Sequence, residues 1–247
     1  MSHFCAIKVK MKKIKKMICL CLATLMLCSI LPATLLTVQA APKFNVSNAS
    51  LKKALNNYSI NITIDEKEQR FVIQNKEITK LTVKSRKYSQ NGKKVTVAAI
   101  VYINRKIATV KTTASITYSL KKNKWKLSSV KFGKTSLSSV NLKGTWTGTY
   151  VAGQGQTKAK LVINRVSKDG YATGKFYFSA TPTNPKVPSG SYTIVGGYDK
   201  KTGKVTFAGD EWISRPSGYD MLDFYCYLDL RNKKIKSYSN SLVLSKK

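Results

Sequence analysis

The sequence predicts a mainly β protein: a small α+β module, one helix plus an antiparallel meander, followed by an antiparallel β-barrel or β-sandwich of seven to eight strands. Three observations carry that expectation. Apolar and polar residues alternate with a period of two through most of the chain beyond residue 80. Twelve of the fourteen glycines fall between Gly144 and Gly218, among short β-rich runs. Composition shifts at the same place: residues 41–143 hold 22 basic and 4 acidic side chains, a net +18, whereas 144–247 hold 16 and 7, a net +9.

Residues 1–40 read as a signal peptide. Lys8, Lys10, Lys12, Lys13, Lys15 and Lys16 form a positive start, and no charged residue lies between Met17 and Pro42. Val38-Gln39-Ala40 then offers small residues at the positions a signal peptidase reads, so cleavage is expected between Ala40 and Ala41. The alternative is an uncleaved anchor, because the apolar run reaches the roughly 20 residues that span a bilayer. Without the leader, 207 residues carry 38 basic and 11 acidic side chains, a formal charge of +27, one cysteine and no histidine. A His-dependent triad, a His general base and a His-bearing zinc site are thereby excluded from the exported chain. No cofactor and no metal is expected; Asp199, alone in its turn, falls short of the six or so oxygens that calcium collects.

The α+β module is read over 41–133. Leu51, Ala54 and Leu55 take helical spacing in Ser50–Asn56, behind a serine or asparagine cap. Strands follow at Leu81 and Val83, then across the Asn91-Gly92 turn at Val95 to Ile103, then at Ala114 to Leu120 and at Trp125 to Leu127. A Ser-rich stretch of weak periodicity predicts a linker over 134–143. From 144 to 247, strands are expected near Thr145–Val151, Lys158–Arg165, Tyr171–Ala180, Ser191–Tyr198, Lys204–Ala208, Trp212–Ile213, Tyr219–Leu230 and Lys234–Leu244. So many short strands need closure or a second layer to protect their edges, and an up-and-down barrel is the first choice.

Three resemblances accompany these readings. The helix and meander ending in Lys124-Trp125-Lys126-Leu127 resemble the cystatin-like, nuclear-transport-factor-2-like α+β architecture, whose members often act as non-catalytic supports. The ordered set Trp146-x-Gly148-x-Tyr150, Gln154-Gly155-x-Thr157, Pro188-x-Gly190-x-Tyr192, Trp212-Ile213 and Pro216-x-Gly218-Tyr219 resembles a small all-β domain of unknown function that closes many bacterial multidomain proteins. Gly144-Thr145-Trp146 is similar to the Gly-x-Trp opening of lipocalins, which implies a Trp plugging the barrel base; no partner Arg is apparent on the last strand.

The most site-like segment is Asp210 to Tyr219, where Trp212, Arg215, Tyr219, Asp210 and Glu211 combine aromatic, basic and acidic groups suited to a glycan or peptide. The carboxylates of Asp210, Glu211, Asp220 and Asp223 offer an alternative, since glycoside hydrolysis needs a pair roughly 5 to 10 Å apart. Their bland reading is as solvated ion-pair partners. Cys226 sits in phase with Leu222, Phe224, Leu228 and Leu230, so a buried, inert thiol is expected.

The basic excess calls for an anionic partner. Export, the dominance of Lys over Arg (38 to 6) and the lack of an aromatic-basic motif disfavour specific nucleic-acid binding. Anionic envelope polymer, glycan or lipid headgroups meet the same electrostatic demand. The functional expectation is an exported non-enzymatic protein binding at the cell surface. Its alternatives are a lipocalin-like carrier of a small apolar ligand and a carboxylate-dependent glycan-active enzyme.

Overall fold

The computed structural model describes residues 42–247, so the expected cleavage at Ala40 and Ala41 and the alternative of an N-terminal anchor lie outside the described residues. Among the described residues no helix is long and apolar enough to cross a membrane.

Helix α1 (Asn48–Ala54) begins two residues before the expected start. Its cap is Ser47, whose Oγ accepts from the Ser50 amide at 3.2 Å and so satisfies one of the free N–H groups of the first turn. A hairpin absent from the sequence reading comes next, β1 (Ser59–Ile64) paired with β2 (Lys67–Val72). Ile60, Ile62 and Ile64 of β1 are buried in alternation, and the turn uses Asp65 and Glu66 at φ of 45° and 65°. After a single 3-10 turn at Asn75–Glu77, the strands β3 (Ile78–Tyr88), β4 (Lys94–Asn104), β5 (Ala108–Lys121) and β6 (Lys124–Val140) form a four-stranded antiparallel meander. Val95, Val97, Ala99, Val101 and Ile103 of β4 face one core with Leu51 and Leu55 of α1.

The expected linker is corrected over most of its length. Residues 134–140 continue β6, where Thr135 pairs with Thr112 and Val140 with Ala108. Polar residues disguised the strand because they pair with one another: the Thr112 and Thr135 hydroxyls are 3.0 Å apart. Only 141–143 separate β6 from the next strand, and Leu142 is fully buried there.

Eight strands then close into a barrel: β7 (Gly144–Ala152), β8 (Gly155–Val166), β9 (Tyr171–Ser179), β10 (Gly190–Tyr198), β11 (Lys204–Ser214), β12 (Phe224–Asp229), β13 (Lys234–Ser237) and β14 (Leu242–Lys246). Each pairs antiparallel with the next, and β14 returns to β7 through Leu242 opposite Tyr150 and Lys246 opposite Trp146. The barrel choice is therefore the right one of the two predicted, and no sheet edge is left open in this half. The strands are apportioned differently, however. The two expected near Lys204 and Trp212 are one strand, residues 219–223 lie outside the sheet, and the last expected strand divides at Tyr238–Ser241, where Asn240 turns at φ 58°.

The interior is filled. Trp146, Leu161, Phe176 and Tyr192 take facing positions across β7 to β10, each at most 2% exposed. Trp146 closes the end where β7 starts and β14 stops. Its Nε1 donates to the Leu142 carbonyl at 2.7 Å, and the Lys246 ammonium sits 5.5 Å from its ring centre.

Pro42 to Lys247 form one compact unit, with the meander half joined to this end of the barrel. Gln69 of β2 donates to the Leu228 carbonyl at 2.7 Å and accepts from the Leu230 amide at 2.8 Å, as an added strand would. Arg105, in the β4–β5 turn, donates through Nε and Nη2 to the Leu230 carbonyl at 3.1 and 2.9 Å.

Candidate functional site

Among the concave regions of the surface, one lies at each end of the barrel. The first is a recess of about 370 Å³ at the mouth remote from Trp146, lined by Tyr150, Gln154, Phe178, Tyr192, Tyr219 and Leu222 among others. Its inner polar groups are the phenols of Tyr150 and Tyr192 and the Gln154 amide, and the exposed Asp220 carboxylate stands at its edge. Burial pushes the Tyr150 phenol up to about 12, while Gln154 donates to it at 2.9 Å. Burial also raises Tyr192, whose hydroxyl is bonded to the backbone of Leu222 at 3.3 Å.

The sequence-predicted residues form the rim of this mouth, and a β-bulge decides how. Tyr192 pairs with Trp212 but Ile194 pairs with Gly209, so Asp210 and Glu211 together oppose Thr193. The period set by Val205, Phe207 and Gly209 would otherwise turn Glu211 inward. Instead Trp212 goes in, packing edge-on against Tyr192 at 5.3 Å and Phe178 at 6.3 Å between ring centres. Tyr219 stacks on Phe178 at 5.6 Å. Arg215 covers Trp212 at 5.7 Å, donates to the Tyr219 carbonyl at 3.1 Å and meets Asp220 at 3.3 Å. Trp212, Arg215 and Tyr219 are thus brought together, with both aromatics half-buried as packing for Phe178.

The acids do not join them in one constellation. Asp210 accepts from the Thr193 hydroxyl at 3.1 Å on the outer side of the bulge, and Glu211 is exposed. Asp220 pairs with Arg215 in an exposed turn, while Asp223 accepts from the Gly209 amide at 3.2 Å. Asp210, Asp220 and Asp223 are thus engaged separately, and Glu211 stands apart from them in solvent. Cys226 is fully buried on β12, and burial pushes its thiol up to about 12.

The second region escaped the sequence reading. A groove of about 640 Å³ lies between β2, the Asn75–Glu77 turn and the β12–β13 turn, and Arg70, Lys76, Arg105, Arg231 and Lys233 line it with the single acid Glu77. Both Glu77 oxygens accept from Arg105 Nη1, at 2.8 and 2.7 Å, and one also accepts from Lys233 at 2.8 Å. Burial alone would raise the Glu77 carboxyl, but the Lys233 hydrogen bond and the Arg105 charge outweigh it and hold it below the usual range. Below the Arg105 guanidinium lies the Phe71 ring, 4.5 Å away. The available signal was the scarcity of arginine, since three of the chain's six meet here.

The fold and these two regions define a closed eight-stranded barrel joined to a helix-and-meander half, with an aromatic mouth and a basic groove at the joint. No protein-family model matches this chain, and no curated protein or solved structure matches it.

Proposed function

We propose that this chain is an exported, non-enzymatic protein that adheres to anionic material of the cell envelope, with the barrel as its rigid half. The observation that carries the reading is the unneutralised positive charge. Among the described residues the ion pairs engage only Arg105, Lys233, Arg215 and Lys236, four of the 38 basic side chains beyond residue 40. The rest give the surface a strong positive field, which concentrates polyanions and weakens with salt. The lysine-led leader supports export. The filled interior favours surface binding over a carrier of apolar ligands, and the separate engagement of the acids favours it over glycan cleavage. Sedimentation of the purified protein with anionic cell-wall polymer at low and high salt tests the reading. Salt-sensitive co-sedimentation is expected, and its absence at low salt sinks the proposal.

A further inference from the structure

We propose that the groove between β2 and the β12–β13 turn is a binding site for the phosphate groups of a linear phosphodiester polymer. This rests on the adhesion reading and gives it a place. Arginine is rare in the chain, with six against 32 lysines beyond residue 40, yet Arg70, Arg105 and Arg231 all line this groove. A general excess of cations would have drawn on lysine. The guanidinium fork is the side chain that holds phosphate oxygens two at a time, and lysine adds a point charge beside it.

The groups divide by task. Arg105 is spent on Glu77 and on the carbonyls of Leu230 and Arg231, the last at 3.1 Å, so it builds the floor. Glu77 is held by two cations and leaves little negative charge facing the groove. Arg70, Lys76 and Arg231 are exposed and, among the described residues, have no acidic partner. The spacing of Arg70 and Arg231 is held from both sides of the joint. Gln69, which precedes Arg70, is bonded to Leu228 and Leu230, and Leu230, which precedes Arg231, is bonded to Arg105. Little ordering cost therefore remains for the backbone when a ligand binds.

The shape selects the polymer. Cations approach from several directions, which suits a tetrahedral phosphate better than a planar carboxylate. A bilayer presents headgroups in a plane, whereas a thread-like chain can enter a recess of about 640 Å³. Val72 in the lining, 45% exposed, offers apolar contact for the carbons between phosphates.

The test measures binding of a synthetic glycerol-phosphate oligomer, and of phosphatidylglycerol vesicles, at one fixed salt concentration. The variants are Arg70→Gln/Arg231→Gln, Arg70→Lys/Arg231→Lys, and the charge-matched control Lys121→Gln/Lys124→Gln at the far end of β5 and β6. All these positions are exposed, and circular dichroism checks that each variant folds. The glutamine pair in the groove should lose roughly tenfold or more in oligomer affinity, the lysine pair several-fold, and the control under about twofold. Equal losses in groove and control variants overturn the site while leaving charge-driven adhesion intact. Loss of vesicle binding alone assigns the groove to a membrane and overturns the polymer. No binding of the oligomer, the vesicles or wall polymer by the unaltered protein removes both this site and the adhesion reading.

Discussion

Glu77 and Arg105 form an ion pair 2.7 Å apart with each side chain only 7% exposed, at the point where the meander half meets the barrel. A buried pair of this kind is costly to break on one side, because the surviving charge keeps its desolvation penalty; without Arg105, Glu77 retains only the half-exposed Lys233. Arg105→Met additionally strips the Leu230 carbonyl of both its guanidinium donors. Urea unfolding should show a loss of about 3–5 kcal/mol. A loss below about 1 kcal/mol would mean the joint does not rest on this residue.

The same carboxyl sets an acid limit. Glu77 is lowered as described, and Asp229 is lowered because the hydrogen bonds from Asn232 and Lys236, at 2.8 to 2.9 Å, outweigh the effect of its burial. Both carboxyls release their protons more readily folded than unfolded. Their stabilising contribution is complete above the unfolded values of about 3.9 to 4.3, and it is lost as pH falls through the lower folded values. The urea midpoint should therefore begin to drop below about pH 5 and go on dropping through about pH 3, less steeply in Glu77→Gln. Identical slopes would count against the pairing of Glu77.

Cys226 gives a probe of barrel integrity. With no exposure and a thiol pushed up to about 12, it should resist an aromatic disulfide reagent in the native protein and react stoichiometrically in guanidinium. Rapid native labelling would place it on the surface or the barrel in frequent opening.

Gly197 lies on β10 at φ 144°, and a Cβ there would run into the carbonyl oxygen of Gly170. Gly197→Ala should cost more than the 1–3 kcal/mol or so of backbone strain alone. Gly218→Ala, at φ 77° with open space around it, should pay only the strain. Thermal unfolding ranks the two; the reverse order contradicts the strand packing.

The acids at the mouth rim carry a different expectation. The triple variant Asp210→Asn, Glu211→Gln, Asp220→Asn removes three negative charges from the exposed side of the rim. Its salt-sensitive adhesion to wall polymer should be unchanged or stronger. Weaker adhesion would show that these acids contact the ligand.

Much of the barrel was legible because strand alternation and turn chemistry are local. The alternation of Phe224, Cys226 and Leu228 announced their inward set, and Cys226 faces the core where that period puts it. The Ile60, Ile62 and Ile64 alternation was equally readable, and the β1–β2 hairpin was missed although its signal was present. The rim was half legible: Trp212, Arg215 and Tyr219 stand together, but which side chain turned inward depended on a bulge that Thr193 of the neighbouring strand completes.

The class of fold, the positive charge and the absence of histidine from residue 41 onward are all properties of composition or of short-range period. Where the arginines gather, and which of them is buried, depends instead on contacts between segments far apart in the chain. Arg105 sits in a turn whose neighbours Asn104 and Lys106 look no different from any exposed hairpin, and its acceptor at Leu230 is 125 residues away. A guanidinium leaves water only when carbonyls and a carboxylate from distant segments replace its hydration together, and that requirement has no local signature in the chain.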